Sequence, residues 1–359
     1  MRCSSSSIVL LLNLAFALCD AERSRGWNLN NFKTLVTFGD SYTDENRLGY
    51  FINHNGSAPP VGWEQPGLNT ASGGLSWPRY ASLYSNATLY NYAVGGAVCS
   101  NSITPRFFSA INAPFPSITS YELPAFLADS KHRVPSTNKK FFTGTPRDTV
   151  YAIWIGTNDL GNNAFLTDSQ VAGKTLKDYV DCVYSIIDTL HSQVSARYFV
   201  LLNLAPLNLL PQYATPENGG LPATKFFPEK QGQNITQISY RILESVATVN
   251  QIFAHKTPFE TEVADRWDGD VKIANFDVNA LMTDMYRNPK KYLNGTAEPN
   301  VTGVVNKCDV QGKNCVLAKS PDSFLWFDEL HPSEQASRVV AREFVGVLKG
   351  GSKWAKYWG

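Results

Sequence analysis

Short apolar runs alternate along the chain with longer amphipathic stretches. The runs are rich in β-branched and aromatic side chains and are followed by glycine, asparagine or proline, which is typical of strands. They lie at 35–38, 89–94, 150–155, 198–204 and 271–278. The run Val150–Ile155 is apolar throughout, which predicts a strand that is buried on both faces of a sheet.

Apolar side chains recur every three or four residues in three longer stretches, which predicts amphipathic helices. The helices are expected at about 174–193, 235–253 and 334–348, with Ser333 as the N-cap of the last one. Alternation of strands and helices predicts an α/β fold whose central parallel sheet is covered on both faces. Ligands in such folds bind beyond the carboxyl ends of the strands, so candidate chemistry is sought there.

Composition argues against disorder and against a nucleic-acid partner. Of the 359 residues, 43% are hydrophobic and 18% are charged, and 32 basic residues face 31 acidic ones. Binding to phosphates requires a clustered excess of Lys and Arg, so we expect no nucleic acid. The length suits two domains of about 150 residues, but no low-complexity linker divides it. We expect residues 22–359 to form one monomeric domain, with long loop insertions at 104–124 and 208–228 as walls of a substrate cleft.

The N-terminus is typical of a secretory signal peptide. Arg2 precedes the apolar run Ile8–Cys19, which is too short to cross a bilayer because a spanning helix needs about 20 residues. We expect residues 1–21 to be the leader, cleaved after Cys19 or Ala21. We also expect the protein to be extracellular and to have no membrane span. Asn-x-Ser/Thr sequons predict surface glycans at Asn55, Asn86, Asn234, Asn294 and Asn300.

Four cysteines remain after the leader, and an even number in an oxidising compartment predicts disulfides. Cys308 and Cys315 are expected to pair and to close a small loop. The sequence alone leaves the pairing of Cys99 with Cys182 open. The zinc-binding spacings C-x-x-C and H-E-x-x-H do not occur in the sequence, so we expect no metal site of that kind.

Residues with catalytic potential follow three of the predicted strands, and a fourth group lies near the C-terminus. The four groups are Gly39-Asp40-Ser41-Tyr42, Gly95-Gly96-Ala97, Gly156-Thr157-Asn158-Asp159 and Asp328-Glu329-Leu330-His331-Pro332. Together they supply a hydroxyl nucleophile, donors for an oxyanion, and an imidazole base with a carboxylate close by.

Each residue type suits one step of acyl transfer. Ser41 is a weak nucleophile unless a base takes its proton, and histidine ionises close enough to neutral pH for His331 to be that base. Asp328 lies three residues before His331 and can hold its Nδ1–H. The N–H groups of Ser41 and Gly96 and the side-chain amide of Asn158 are the expected oxyanion donors. This chemistry needs no metal and no organic cofactor.

The D-x-x-H spacing alone is a weak signal, because it occurs three times. Asp188 and His191 lie in a predicted amphipathic helix, where such a pair is usually a surface contact. The segment 129–132 is charged and is expected to be solvated. Only His331 follows an aromatic run and precedes a proline and a helix.

At these four groups the sequence resembles the SGNH, or GDSL-type, hydrolase superfamily, whose Ser, Gly, Asn and His blocks match Ser41, Gly96, Asn158 and His331 in order. The resemblance spans residues 34–345 and implies ester hydrolysis in a flavodoxin-like three-layer α/β/α domain. The segments 37–44 and 91–100 are similar to those of secreted fungal acetylesterases of carbohydrate esterase family 16. That likeness implies a substrate such as an acetylated sugar or xylo-oligosaccharide.

Three alternative functions would require other features of the sequence. An α/β-hydrolase lipase requires G-x-S-x-G, but Thr43 stands where the second glycine would be. A non-catalytic carbohydrate-binding module would leave Ser41, Asn158 and His331 without a role. The main alternative is an SGNH lipase or phospholipase-like esterase for longer acyl chains, since the apolar segment 107–115 is suited to binding such a chain.

Overall fold

The computed structural model describes Ser24, residues 26–64 and residues 70–359, so the predicted leader at residues 1–21 lies outside the described residues. Within them the strands are β1 (Thr34–Gly39), β2 (Thr88–Asn91), β3 (Phe107–Phe108), β4 (Ala113–Pro114), β5 (Thr149–Trp154), β6 (Tyr198–Leu202), β7 (Lys272–Phe276), β8 (Asn300–Val304), β9 (Asn306–Lys307), β10 (Val316–Leu317), β11 (Phe324–Trp326) and β12 (Ala355–Trp358). The α-helices are α1 (Arg47–Asn53), α2 (Trp77–Ser85), α3 (Leu123–Lys131), α4 (Thr157–Leu160), α5 (Leu176–Val194), α6 (Ile235–Pro258), α7 (Val278–Arg287) and α8 (Glu334–Leu348).

Six strands form the central sheet in the order β12-β7-β6-β5-β1-β2. The five strands from β7 to β2 are parallel to one another, as the sequence predicts. The chain starts in the middle of the sheet at β1, adds β2 on one side and then continues on the other side with β5. That order reverses direction between β1 and β5, and ligands of open α/β sheets bind at such a switch point.

The centre of the sheet is buried on both faces, and helices cover it. Every residue of β1 and β5 is buried. Helices α2, α7 and α8 pack together as one layer, while α3, α5 and α6 pack together as another. The predicted three-layer α/β/α fold is therefore confirmed. Full burial of one side chain such as Val36 or Phe38 contributes about 1.5–3 kcal/mol of hydrophobic free energy.

The predicted helices correspond to α5, α6 and α8. The Ser333 hydroxyl accepts a hydrogen bond from the Ala336 N–H at 3.1 Å, which confirms the predicted N-cap of α8. Helix α6 continues beyond its predicted end to Pro258. No helix in the described part of the chain is long and apolar enough to cross a bilayer.

Two strands differ from the sequence-based expectation. The antiparallel edge strand β12 was not predicted, because it is short and alternates buried Tyr357 with exposed Lys356 instead of forming an apolar run. The aromatic run before His331 does form a strand, β11, but it pairs with β8 in a separate two-stranded sheet. Its end is closed by a hydrogen bond from the Phe327 N–H to the His331 carbonyl at 2.8 Å, so residues 328–331 form a tight loop.

Candidate active site

Ser41 lies in a tight turn directly after β1. The N–H groups of Thr43 and Asp44 both donate to the Asp40 carbonyl at 2.9 Å, which forms the turn. The Tyr42 hydroxyl donates to the Leu330 carbonyl at 2.8 Å and so joins this turn to the loop that carries His331. Residues that are far apart in the chain are thereby held face to face.

Ser41, His331 and Asp328 form a continuous hydrogen-bonded series. His331 Nε2 lies 2.8 Å from Ser41 Oγ, and His331 Nδ1 lies 2.8 Å from Asp328 Oδ1. An ionised carboxylate only accepts hydrogen bonds, so Nδ1 carries the proton and Nε2 is left to accept the proton of the Ser41 hydroxyl. This is the arrangement of a serine nucleophile with its base and with a group that orients the base.

Asp328 is buried, yet its surroundings favour the charged form. Burial on its own raises the pKa of the carboxyl, but the interaction with His331 and the positive charge of Lys225 hold the pKa below its ordinary value. The backbone N–H groups of Leu330 and His331 also donate to Oδ1, at 3.0 and 2.9 Å. These donors fix the carboxylate against the imidazole.

Gly96 is the glycine of its pair whose N–H is available to a ligand. The neighbouring Gly95 N–H donates to Asp44 Oδ2 at 2.8 Å and is therefore occupied. Among the hydrogen bonds of the described residues, the N–H groups of Ser41 and Gly96 have no acceptor in the protein. Gly96 has a φ of +79°, a conformation that favours glycine, and a β-carbon there would collide with the Phe115 ring.

The Asn158 amide lies at the start of helix α4, which follows β5. Its Nδ2 donates to the Ala97 carbonyl at 2.9 Å, and the amide has a second N–H for a ligand. Arg106 Nη1 donates to the Gly96 carbonyl at 2.8 Å. Asn158 and Arg106 thus hold the Gly96 loop from two sides, at the switch point between β1 and β5.

Asp159 links the two loops that carry Gly96 and Asn158. Its carboxylate oxygens lie 3.1 and 3.2 Å from the Cys99 N–H, and the Thr104 hydroxyl donates to it at 3.0 Å. Complete burial raises the pKa of Asp159 to about 7, in spite of these donors. Cys99 also forms a disulfide with Cys182 of α5, which answers the question that the sequence left open.

Ser41, Gly96, Asn158 and His331 line one cavity of about 470 Å³. The two predicted loop insertions form part of its wall, through Arg106, Phe108, Phe115, Tyr213 and Phe226. The insertions therefore place four aromatic side chains in the cavity that holds the candidate nucleophile. Trp154 and Trp77 are buried in the core instead, and Trp63 packs against Arg47 and Tyr50 outside this cavity.

Residues 35–344 match the GDSL-like lipase/acylhydrolase family. The chain belongs to that family. This GDSL-type hydrolase is 42% identical over 334 residues to an acetylesterase of Hypocrea jecorina, which covers 92% of each chain. It is 24% identical over 330 residues to an acetylesterase of Thermothelomyces thermophilus, with 89% of each chain covered. It is also similar to the acetylxylan esterase Axe2 of Geobacillus stearothermophilus, at 12% identity and a TM-score of 0.41, with 90% of this chain and 95% of that chain covered.

The other two D-x-x-H pairs of the hydrolase do not form a base and its carboxylate. Asp129 is buried and accepts hydrogen bonds from the Tyr92 hydroxyl at 2.8 Å and the Gly62 N–H at 2.7 Å, so the expectation of a solvated segment was wrong at this residue. Asp188 binds Arg266 and the Trp267 indole rather than His191. The local spacing is the same in all three pairs, and only the tertiary contacts distinguish them.

The remaining predicted site residues lie outside the cavity of the hydrolase. Cys308 and Cys315 form a disulfide. The sequon residues Asn55, Asn86, Asn234 and Asn294 are exposed, whereas Asn300 is half-buried in β8. Asn300 Oδ1 accepts the N–H groups of Thr302 and Gly303, at 3.1 and 2.6 Å. Within the described part of the chain, no three His, Cys, Asp or Glu side chains cluster as metal ligands would.

Sequence reasoning missed several residues that support the GDSL site. Asp44 binds Gly95 and Arg106 binds Gly96, but neither contact follows from a local pattern. Lys225 Nζ lies 3.1 Å from Asp328 Oδ2, and it comes from the insertion at 208–228. The sequence predicts that this insertion forms a wall of the cleft, which is a partial signal, but no local pattern distinguishes Lys225 within it.

Proposed function

We propose that this protein is a secreted serine esterase that removes acetyl groups from acetylated sugars or xylo-oligosaccharides. The observation that carries the catalytic part of the proposal is the 2.8 Å contact between His331 Nε2 and Ser41 Oγ, with Asp328 behind the imidazole. The 42% identity to a fungal acetylesterase over 92% of the chain supports the choice of acyl group.

The reaction proceeds in two steps. Ser41 Oγ attacks the acetyl carbonyl carbon while His331 Nε2 takes the hydroxyl proton, and the Ser41 N–H, the Gly96 N–H and the Asn158 amide bind the oxyanion. Collapse of this intermediate breaks the ester bond, and His331 passes its proton to the departing sugar oxygen. Water then attacks the acetyl-enzyme with His331 again as the base, which releases acetate and restores the Ser41 hydroxyl.

Secretion and glycosylation are part of the same proposal. Two disulfides among the described residues are typical of proteins that mature in an oxidising compartment. The exposed sequon residues favour glycans at Asn55, Asn86, Asn234 and Asn294. Expression through a secretory route, followed by N-terminal sequencing and glycopeptide mass spectrometry, tests the leader, its cleavage site and each sequon separately.

A second candidate is an esterase for longer acyl chains. It is favoured by the apolar side chains of Leu48, Ile52 and Phe108, which line the cavity next to the nucleophile. Rates of hydrolysis of p-nitrophenyl acetate, butyrate and octanoate at matched concentrations distinguish the acetylesterase from the long-chain esterase. We expect the highest kcat/KM for the acetate, and a preference for octanoate would replace the acetylesterase proposal with this alternative.

The decisive experiment pairs the nucleophile variant with a natural substrate. Ser41→Ala is expected to abolish acetate release from acetylated xylo-oligosaccharides, followed by mass spectrometry, while circular dichroism remains unchanged. Acetate release that persists in Ser41→Ala would disprove the assignment of the nucleophile. Cleavage of p-nitrophenyl acetate without any change in the oligosaccharides would leave the esterase mechanism standing and reject the sugar substrate.

A further inference from the structure

The two carboxylate oxygens of Asp328 have different partners. Oδ1 receives the imidazole of His331 and two backbone N–H groups. Oδ2 faces the Lys225 ammonium at 3.1 Å, and the side chains of Lys225 and Asp328 are 19% and 6% exposed. A pair buried to this degree is screened less by water and salt than a surface pair, so the charge of Lys225 acts strongly on Asp328.

Lys225 is held in this position by its neighbours in the chain. The Thr224 hydroxyl donates to the Gln212 side-chain oxygen at 2.8 Å, and the Phe226 carbonyl accepts from Asn162 Nδ2 at 2.9 Å. The Gln212 N–H in turn donates to the Glu329 carbonyl at 2.9 Å. The residues on both sides of Lys225 are therefore anchored, and the insertion is joined to the loop of Asp328.

Phe226 brings the same segment against the imidazole. Its ring packs edge-on against the His331 ring, with centroids 5.2 Å apart. The Lys225 ammonium lies 4.8 Å from the centroid of the Phe226 ring, within the range of a cation–π contact. Glu329 competes only weakly for Lys225, since its Oε2 is 4.0 Å from the ammonium.

We propose that Lys225 is a positioning residue for the Ser41–His331–Asp328 series, and that its charge extends activity to lower pH. The inference rests on the proposed function of that series. Lys225 offsets part of the Asp328 charge, which leaves less negative potential at the imidazole. Activity is therefore expected to extend to more acidic solution than it would with an unpaired Asp328 carboxylate behind the imidazole.

Several other groups contact His331, interact with it electrostatically or line the same cavity, and a substitution of Lys225 leaves all of them in place. They are Ser41, Tyr42, Asp40, Glu329, Arg106 and Tyr213. Asp40 matters most among them, because it is completely buried and carries a pKa that burial raises to about 6. The difference between two pH profiles removes these shared contributions and isolates the effect of residue 225.

The test compares pH profiles of kcat/KM for p-nitrophenyl acetate from pH 4 to pH 9. Lys225→Met and Lys225→Gln are expected to move the acidic limb upward by roughly half a pH unit to one pH unit. That shift corresponds to a decrease in kcat/KM of about threefold to tenfold at pH values on the acidic limb, with a smaller decrease at high pH. Lys225→Gln retains a hydrogen-bond donor, so a shift in both variants identifies the charge as the cause.

Two controls complete the experiment. Lys225→Arg retains the charge and is expected to keep the acidic limb within about 0.2 pH units of wild type. Lys256→Met makes the same chemical change at a lysine that is 23% exposed and pairs with Glu260 and Asp181 away from the site, so its profile should match wild type. An acidic limb that does not move in either neutral variant would overturn the proposal, even if overall activity fell.

A second readout separates this inference from the choice of substrate. The rate at which a fluorophosphonate inactivates the enzyme reports the nucleophilicity of Ser41 and does not depend on which ester is natural. The pH dependence of inactivation should shift in Lys225→Met as the hydrolysis profile does. Absence of any reaction in the wild type would instead reject the proposed nucleophile.

Discussion

The ring of Phe115 occupies the space in which a β-carbon on residue 96 would lie. Phe115 belongs to the insertion at 104–124, and its backbone N–H donates to the Arg106 carbonyl at 2.9 Å. The side chain of Arg106 returns to the Gly96 carbonyl and lies 5.1 Å from the centroid of the Phe115 ring. The insertion therefore shapes the loop that presents the Gly96 N–H.

Gly96→Ala is expected to lower kcat/KM by up to about 10²–10³, because the added methyl group shifts the Gly96 N–H that the proposed mechanism uses as an oxyanion donor, and complete loss of one such donor costs about 2.7–4 kcal/mol. The new methyl group displaces either Phe115 or the Gly96 peptide, so melting temperature should fall as well. Gly95→Ala is the matched control. Its β-carbon would lie 3.1 Å from Leu48 Cδ2 and 3.3 Å from Asp44 Oδ2, contacts that small shifts relieve. Equal losses of activity in the two variants would contradict the selection of Gly96.

Asn158→Ala should lower kcat far more than it raises KM. In the proposed mechanism the free amide N–H contacts the oxyanion, whose charge develops only as the transition state is reached, so the ground-state complex loses little. We expect a fall in kcat of about 10²–10³. Steady-state kinetics on p-nitrophenyl acetate check this. A rise in KM at constant kcat would mean that Asn158 binds the substrate rather than the transition state.

The two disulfides should differ in their effect on catalysis. Cys99→Ser/Cys182→Ser opens a link between residues 83 apart, whereas Cys308→Ser/Cys315→Ser opens one between residues 7 apart. Loop-closure entropy predicts a loss of about 4–5 kcal/mol of unfolding free energy for the first and about 2 kcal/mol for the second. Only the first should also lower kcat, because Cys99 closely follows Gly96. Urea unfolding and kinetics of the two double variants provide the comparison.

Glu122 should make the protein less stable as pH rises. It is fully buried, and burial raises the pKa of its carboxyl well above the ordinary value, although the Gly39 N–H donates to it at 2.9 Å. The folded state then holds a proton that the unfolded chain releases above a pKa of about 4.3. Stability from this group is therefore complete below that pH and is lost as pH rises toward the folded pKa.

Glu122→Gln removes this dependence, because the amide has a similar shape and carries no charge. The unfolding free energy of Glu122→Gln minus that of wild type should increase steadily from pH 5 to pH 9. Urea denaturation at each pH measures this difference. Glu217→Gln alters an exposed glutamate and serves as the control. A constant difference between Glu122→Gln and wild type across the pH range would show that Glu122 is charged throughout.

The central strands and long helices were predictable because each carries its own periodic signal. Strand β5 carries an unbroken apolar run from Val150 onward, and helix α5 has one polar and one apolar face over many residues. Strand β12 has no such signal, since half of it faces solvent at the sheet edge. Its pairing with β7 depends on where the C-terminus returns to the sheet.

The candidate site was predictable where chemistry follows a strand, as Ser41 follows β1 and Asn158 follows β5. Parallel strands bring their carboxyl ends to one edge, so these motifs converge whatever the loops do. Lys225, Arg106 and Phe115 lie in irregular segments, and their positions result from many tertiary contacts rather than from a period. For the same reason, no local pattern distinguishes the buried Asp129 from a solvated aspartate.

The Cys99–Cys182 disulfide determines when the Gly96 loop becomes covalently tethered to α5. Thiols remain reduced in the cytosol, so a newly made chain there holds the Gly96 loop by hydrogen bonds alone. Under the proposed secretion, the covalent tether to α5 is expected to form only once the chain reaches an oxidising compartment. For the proposed secreted enzyme, maturation of the Gly96 loop would thus coincide with departure from the cytosol, and esters inside the cell would meet only an incompletely tethered form of the protein.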